Sequence, residues 1–168
     1  QAKVAVGCHG ATSARGQPRV HGEPIFVGGG SGMVHALGAD RGCLQWVYQA
    51  NGPIRAAIVA EPLGNSHALL FGDLTGWFYA LDAATGKELW KKRPEAHEAV
   101  RLSAPPLVFT GLVMLPIAPW EGTSAINPYY PCCPCPGTIA ALRLPAPRQP
   151  GHGRSTPPEI TARAHGPP

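Results

Sequence analysis

Residues 129–137 read Tyr129-Tyr130-Pro131-Cys132-Cys133-Pro134-Cys135-Pro136-Gly137, and two cysteines joined by a single peptide bond can do chemistry that separated ones cannot. A trans peptide fixes their Cα atoms about 3.8 Å apart, below the roughly 4.4–6.8 Å usual for a disulfide. Closing that bridge makes a strained ring, and strain of this kind collects at functional sites. The flat, hard disc so formed could cover an aromatic cofactor. Two other readings stand beside it: a reduced pair that only packs, and a Cys-Cys-x-Cys metal site. Zinc usually takes a fourth ligand from a second element, and no paired Cys-x-x-Cys or His-x3-His occurs in the chain.

The remaining reactive residues form no constellation. Cys8-His9-Gly10 has the ending of a c-type haem site, but the first cysteine of Cys-x-x-Cys-His would fall at Ala5. His9, His21, His35, His67, His97, His152 and His165 are scattered. Gly28-Gly29-Gly30-Ser31-Gly32 is followed by an apolar alternating run, a strand rather than the helix that a phosphate loop requires. No nucleophilic triad is readable, and a catalytic base is not placed. The five cysteines, at 8, 43, 132, 133 and 135, fit no disulfide framework of a small secreted domain, and Cys43 reads as an ordinary small side chain.

The net charge of +4 over 168 residues does not mark a nucleic-acid binder. Arg143, Arg148, Arg154 and Arg163 stand against Glu159 alone in the last stretch, and no basic stripe is interleaved with aromatics. The chain has no apolar run of about 18 residues, so no membrane span is expected, and no targeting segment gives the compartment.

The elements that must position these residues come from an internal repeat. Gly32 to Trp46 aligns without a gap on Gly76 to Trp90, at an offset of 44 residues, keeping Gly, Ala, Leu, Ala, Gly and Trp. A period of roughly 40–50 residues belongs to four-stranded propeller blades. Each copy reads as strand, turn, strand, turn, strand: Ala68-Leu69-Leu70-Phe71, the turn Gly72 to Gly76, Trp77 to Leu81, the turn Asp82 to Lys87, then Glu88-Leu89-Trp90. The tryptophan at the end of each copy is expected to pack between blades. A third copy starts at Ala104 and resumes at Gly137, an offset of 61 from Gly76, so a 17-residue insertion separates two of its strands and carries the cysteines. Loops of that length in a compact repeat are usually functional or disordered.

The fold class is therefore all-β, a fragment of a β-propeller of about three four-stranded blades with the ring incomplete. Blades are expected at about 11–60, 61–103 and 104–142 within a unit spanning 1–142. Propellers close with about four to eight blades, so the chain reads as a piece of a larger protein. Past Leu142 the pattern breaks, and seven of the last 24 residues are proline. Residues 143–168 are expected to be a disordered Pro/Arg-rich tail, with a reading-frame disruption near residue 143.

The signature Ala80-Leu81-Asp82-Ala83-Ala84-Thr85-Gly86-Lys87-Glu88-Leu89-Trp90 resembles the pyrroloquinoline-quinone (PQQ) repeat of quinoprotein dehydrogenases. More narrowly, Ala11 to Pro18, Gly42-Cys43-Leu44-Gln45-Trp46, Arg101-Leu102-Ser103-Ala104-Pro105 and Tyr130-Pro131-Cys132-Cys133 resemble the polyvinyl-alcohol dehydrogenase group, over about residues 3–142. The resemblance implies a periplasmic eight-bladed propeller that oxidises alcohols through PQQ and Ca2+ and passes electrons to a cytochrome c. It implies a vicinal disulfide between Cys132 and Cys133 stacked on the quinone, cofactor contact from Arg101, and Glu121 where the group has an acidic pair at the metal. A solvated loop carboxylate is the other reading of Glu121. The group continues Cys-Cys-Thr-Phe-Arg-Gly, whereas this chain has Pro134-Cys135-Pro136-Gly137; proline at 136 cannot donate the hydrogen bonds of that arginine. The fragment by itself is expected to be inactive. The alternative is a non-catalytic propeller that uses the same repeat as a protein-binding scaffold, as outer-membrane assembly lipoproteins do.

Overall fold

The computed structural model describes residues 16–120, 126–129 and 137–144, together with the backbone of residues 159–165. Cys8, Glu121, Cys132, Cys133 and Cys135 lie outside the described residues. Every regular element among the described residues is a strand.

The strands form three antiparallel sheets, each in chain order. The first holds β1 (Arg19–Val20), β2 (Pro24–Gly28), β3 (Met33–Gly38) and β4 (Leu44–Gln49). The second holds β5 (Val59–Leu63), β6 (Ser66–Gly72), β7 (Phe78–Asp82) and β8 (Glu88–Lys92). The third holds β10 (Leu107–Phe109), β11 (Leu112–Pro119), β12 (Thr138–Arg143) and β13 (Glu159–His165), with the short β9 (Val100–Arg101) paired to the far end of β11. This is the all-β, unclosed propeller architecture that the repeat implies.

The repeat is kept in backbone detail. A register shift falls between Ala36 and Leu37, between Ala80 and Leu81, and between Ala141 and Leu142, the same position in each copy. Beside it, Ala39 N–H donates to the Glu23 carbonyl, Ala83 to His67 and Leu144 to Gly111, at 2.9, 2.9 and 2.8 Å. The third copy thus keeps the pattern two residues past Leu142. The tail also departs from expectation: Glu159–His165, placed by its sequence in a disordered segment, pairs along β12 as the fourth strand of the blade. The cause is that an open strand edge offers a row of backbone donors and acceptors that any proline-free extended run can satisfy. Glu159 to His165 is such a run, seven residues long.

Packing between sheets follows the two-residue alternation of strands. In the second sheet Leu69, Phe71, Tyr79, Leu81 and Ala83 face the first sheet and pack with Phe26, Val34, Ala36, Ile54 and Ile58. The alternate residues Ala68, Leu70, Phe78, Ala80 and Trp90 face the third and pack with Leu102, Val113, Leu115, Ala140 and Leu142. Both faces of the second sheet are therefore buried, which its near-continuous apolar runs Ala68 to Phe71 and Phe78 to Leu81 require. On the outward face of the third sheet the counterparts are open: Phe109 is 67% and Ile139 50% exposed.

Candidate functional site

Arg101, the one predicted site residue among the described residues, stands where the second blade passes into the third. The chain leaves β8 with Arg93, loops through His97 and returns as β9, whose Arg101 pairs with Ala118 and whose Val100 pairs with Pro119 on β11. One residue on, Trp120 N–H donates to the Ala99 carbonyl at 2.8 Å. The insertion that carries Glu121, Cys132 and Cys133 starts there and re-enters the sheet at Thr138, which stands opposite Ile117. Arg101 and the two ends of the insertion therefore share one end of one sheet, although 37 residues separate Arg101 from Thr138.

The Arg101 guanidinium is held by its own loop: Nη1 donates to the carbonyls of Glu98 and Val100 at 2.9 and 2.8 Å. With five N–H donors in a planar fork, an arginine anchored through one nitrogen keeps further donors for other acceptors. Behind it, Leu102 N–H donates to the Asp73 carbonyl at 3.1 Å and the Leu102 side chain fills the space beside Gly72, where a Cβ would collide with it. That backing fixes where Arg101 stands. Among the described residues no group of three His, Cys, Asp or Glu is placed to hold a metal ion, and Cys43 is an exposed free thiol.

A second polar centre, not marked by the sequence beyond its turn, is Asp73. It is fully buried, and its Oδ1 accepts from Thr75 N, Thr75 Oγ1 and Trp77 N at 2.8, 2.8 and 3.0 Å. Oδ2 accepts the Tyr79 hydroxyl at 2.8 Å, and that hydroxyl in turn accepts Asn51 N–H from the first blade's exit at 2.9 Å. Burial, with the Asp73 contact added, pushes the Tyr79 phenol well above the usual tyrosine range. The Tyr48 phenol is raised in the same way, by burial and then by its hydrogen bond to Glu88 Oε2 at 2.5 Å. Through these hydrogen bonds the two phenols tie the first and second blades together. His21 and His67 meet across the same seam with ring centroids 3.9 Å apart.

The comparisons with known proteins agree with this architecture. The family model of PQQ-like repeats described as "Outer membrane protein assembly factor BamB" matches residues 6–122. Two curated relatives are similar, a polyvinylalcohol dehydrogenase from Pseudomonas sp. at 35% identity and one from Sphingopyxis sp. (strain 113P3) at 36%, each over 134 residues and 77% of this chain. The chain spans about a fifth of their length, 21% and 20%. Among solved structures, the quinohemoprotein alcohol dehydrogenase from Comamonas testosteroni superposes with a TM-score of 0.63 at 20% identity, covering 92% of this chain and 21% of that one. With its 44-residue repeat, three stacked sheets and matched family model, the chain belongs to the PQQ-repeat β-propeller family.

Proposed function

We propose that the chain is the part of a PQQ-dependent alcohol dehydrogenase of polyvinyl-alcohol type that supplies one wall and the cover of the cofactor pocket. The observation that carries this is the pairing of β9 with β11, which brings Arg101 to the base of the insertion holding Cys132 and Cys133. Arg101 fits an anionic oxygen of the quinone, anchored as it is through Nη1. Cys132 and Cys133, joined as a vicinal disulfide, would form the hydrophobic lid on the ring, and Glu121 would offer an oxygen ligand to Ca2+. When bound, PQQ accepts the two electrons removed from the alcohol. The protein residues orient it, exclude water and balance its charge. A periplasmic location and a cytochrome c as electron acceptor complete the reading, which rests for both on the resemblance to the dehydrogenase group.

The test is alcohol-dependent reduction of cytochrome c by the complete protein supplied with PQQ and Ca2+. Activity that disappears in Cys132→Ala while the fold persists supports the reading. The second reading, a non-catalytic scaffold, is favoured by the description of the matched family as an outer-membrane assembly factor. It predicts no cofactor-dependent turnover and indifference to Cys132→Ala.

A further inference from the structure

The strand β13 lies on the third blade in the register of a blade's own outer strand. Ala162 stands opposite Ala141 and Ile160 opposite Leu142, with the shift falling between them. In the earlier copies the same places hold Trp46 opposite Ala36 with Leu44 opposite Leu37, and Trp90 opposite Ala80 with Glu88 opposite Leu81. The backbone pattern is thus kept, while the residue at the joint changes from tryptophan to alanine.

That exchange leaves an apolar ledge open. Trp90 is buried, and its ring centroid lies 5.7 Å from that of the fully buried Phe78. The counterpart of Phe78 on β12 is Ile139, which is exposed, as are Leu107 and Phe109 on the same sheet. Leu107 and Ala141 both stand opposite Met114, so the ledge runs across the sheet to the position of Ala162. An alanine carries too little surface to cover Ile139, whereas an indole at that place would bury it as Trp90 buries Phe78.

We propose that the outer edge of β12 is a strand-acceptor site for an extended protein segment with a tryptophan at the place of Ala162, and that Glu159–His165 is its resident, displaceable self-ligand. Main-chain hydrogen bonds supply the attachment, as they do wherever a peptide adds to a sheet edge, and the ledge supplies the choice of side chain. The tail holds the site through proximity, because a segment of the same chain meets the edge at a high effective concentration. A partner strand offsets that advantage with the indole that the tail lacks.

The probe is a peptide of residues 86–92 of this chain, Gly-Lys-Glu-Leu-Trp-Lys-Lys, which carries the tryptophan at the required place. It is titrated into the whole chain and into an Ala162→Pro/Arg163→Pro variant. Successive strand residues point their N–H groups to opposite sides, so one of the two prolines removes a donor facing β12 and loosens the tail. The expected result is binding roughly tenfold or more tighter to the variant than to the parent, and roughly tenfold weaker when the peptide carries Trp90→Ala. Equal affinity for parent and variant, binding to neither when both are folded, or indifference to the peptide's tryptophan overturns the proposal. A second test needs no loosened tail: in Ala162→Trp the β13 amides should exchange roughly five- to tenfold more slowly than in the parent, and unchanged or faster exchange overturns the proposal. Neither readout depends on a cofactor.

Discussion

Trp46 on the first blade donates its indole Nε1–H to the carbonyl of Ala83 on the second, at 3.1 Å. The same ring packs against Gly86, where an added Cβ would stand 2.5 Å from Cδ2 and Cε3. Gly86 also holds φ +70°, a conformation that residues with a Cβ adopt only at a cost. One glycine thus closes a turn and admits the tryptophan that locks neighbouring blades. Gly86→Ala is expected to destabilise by about 2–4 kcal/mol, from backbone strain plus displacement of the ring. Trp46→Phe, which removes the hydrogen bond and keeps most of the area, should cost about 1 kcal/mol. Urea unfolding midpoints at unchanged slope check both values.

Asp73 and Tyr79 should behave as one unit. Tyr79→Phe leaves Asn51 N–H without its acceptor and Asp73 Oδ2 without its donor, at an expected cost of about 1–3 kcal/mol. Asp73→Ala strands the donors of Thr75 and Trp77 as well, so it should cost more. A double-mutant cycle is expected to show a coupling of about 0.5–3 kcal/mol; strictly additive effects would refute the shared network.

Acid stability should depend on Asp82. Partial burial works against its charge, yet bonds from the Thr85 and Ser66 hydroxyls and from the Thr85 and Ala84 amides prevail and lower its pKa below 3.8. A carboxyl with a depressed folded pKa adds stability above its unfolded pKa and loses it as pH falls through the folded value. Wild type should therefore exceed Asp82→Asn in stability at neutral pH, with the gap narrowing once the pH drops below about 4. Unfolding curves measured from pH 7 down to 2 check the sign, and a gap that widens toward acid contradicts it.

The blades were legible because turn glycines, alternating apolar residues and the terminal tryptophan are local signals that repeat at a fixed spacing. Two features were not. The strand at Glu159–His165 depends on backbone pairing with an open edge, which places few demands on side-chain identity. Asp73, in a turn rich in glycine and threonine, reads like any solvent-facing turn aspartate; only the fold shows that Tyr79 and Leu102 close over it. Arg101 was singled out through its motif alone, and its nearness to the start of the insertion comes from a pairing between β9 and β11 that no local pattern announces.

The central claim is that Arg101 and the Cys132-Cys133 insertion form one cofactor-holding unit. The most direct measurement is equilibrium titration of PQQ, with Ca2+ present, into the complete protein and its Arg101→Gln and Cys132→Ala variants. The account predicts saturable quinone absorbance in the parent and an affinity lower by about tenfold or more in each variant, near 1.4 kcal/mol. Absence of binding in a folded parent, or equal affinity in all three proteins, would contradict it.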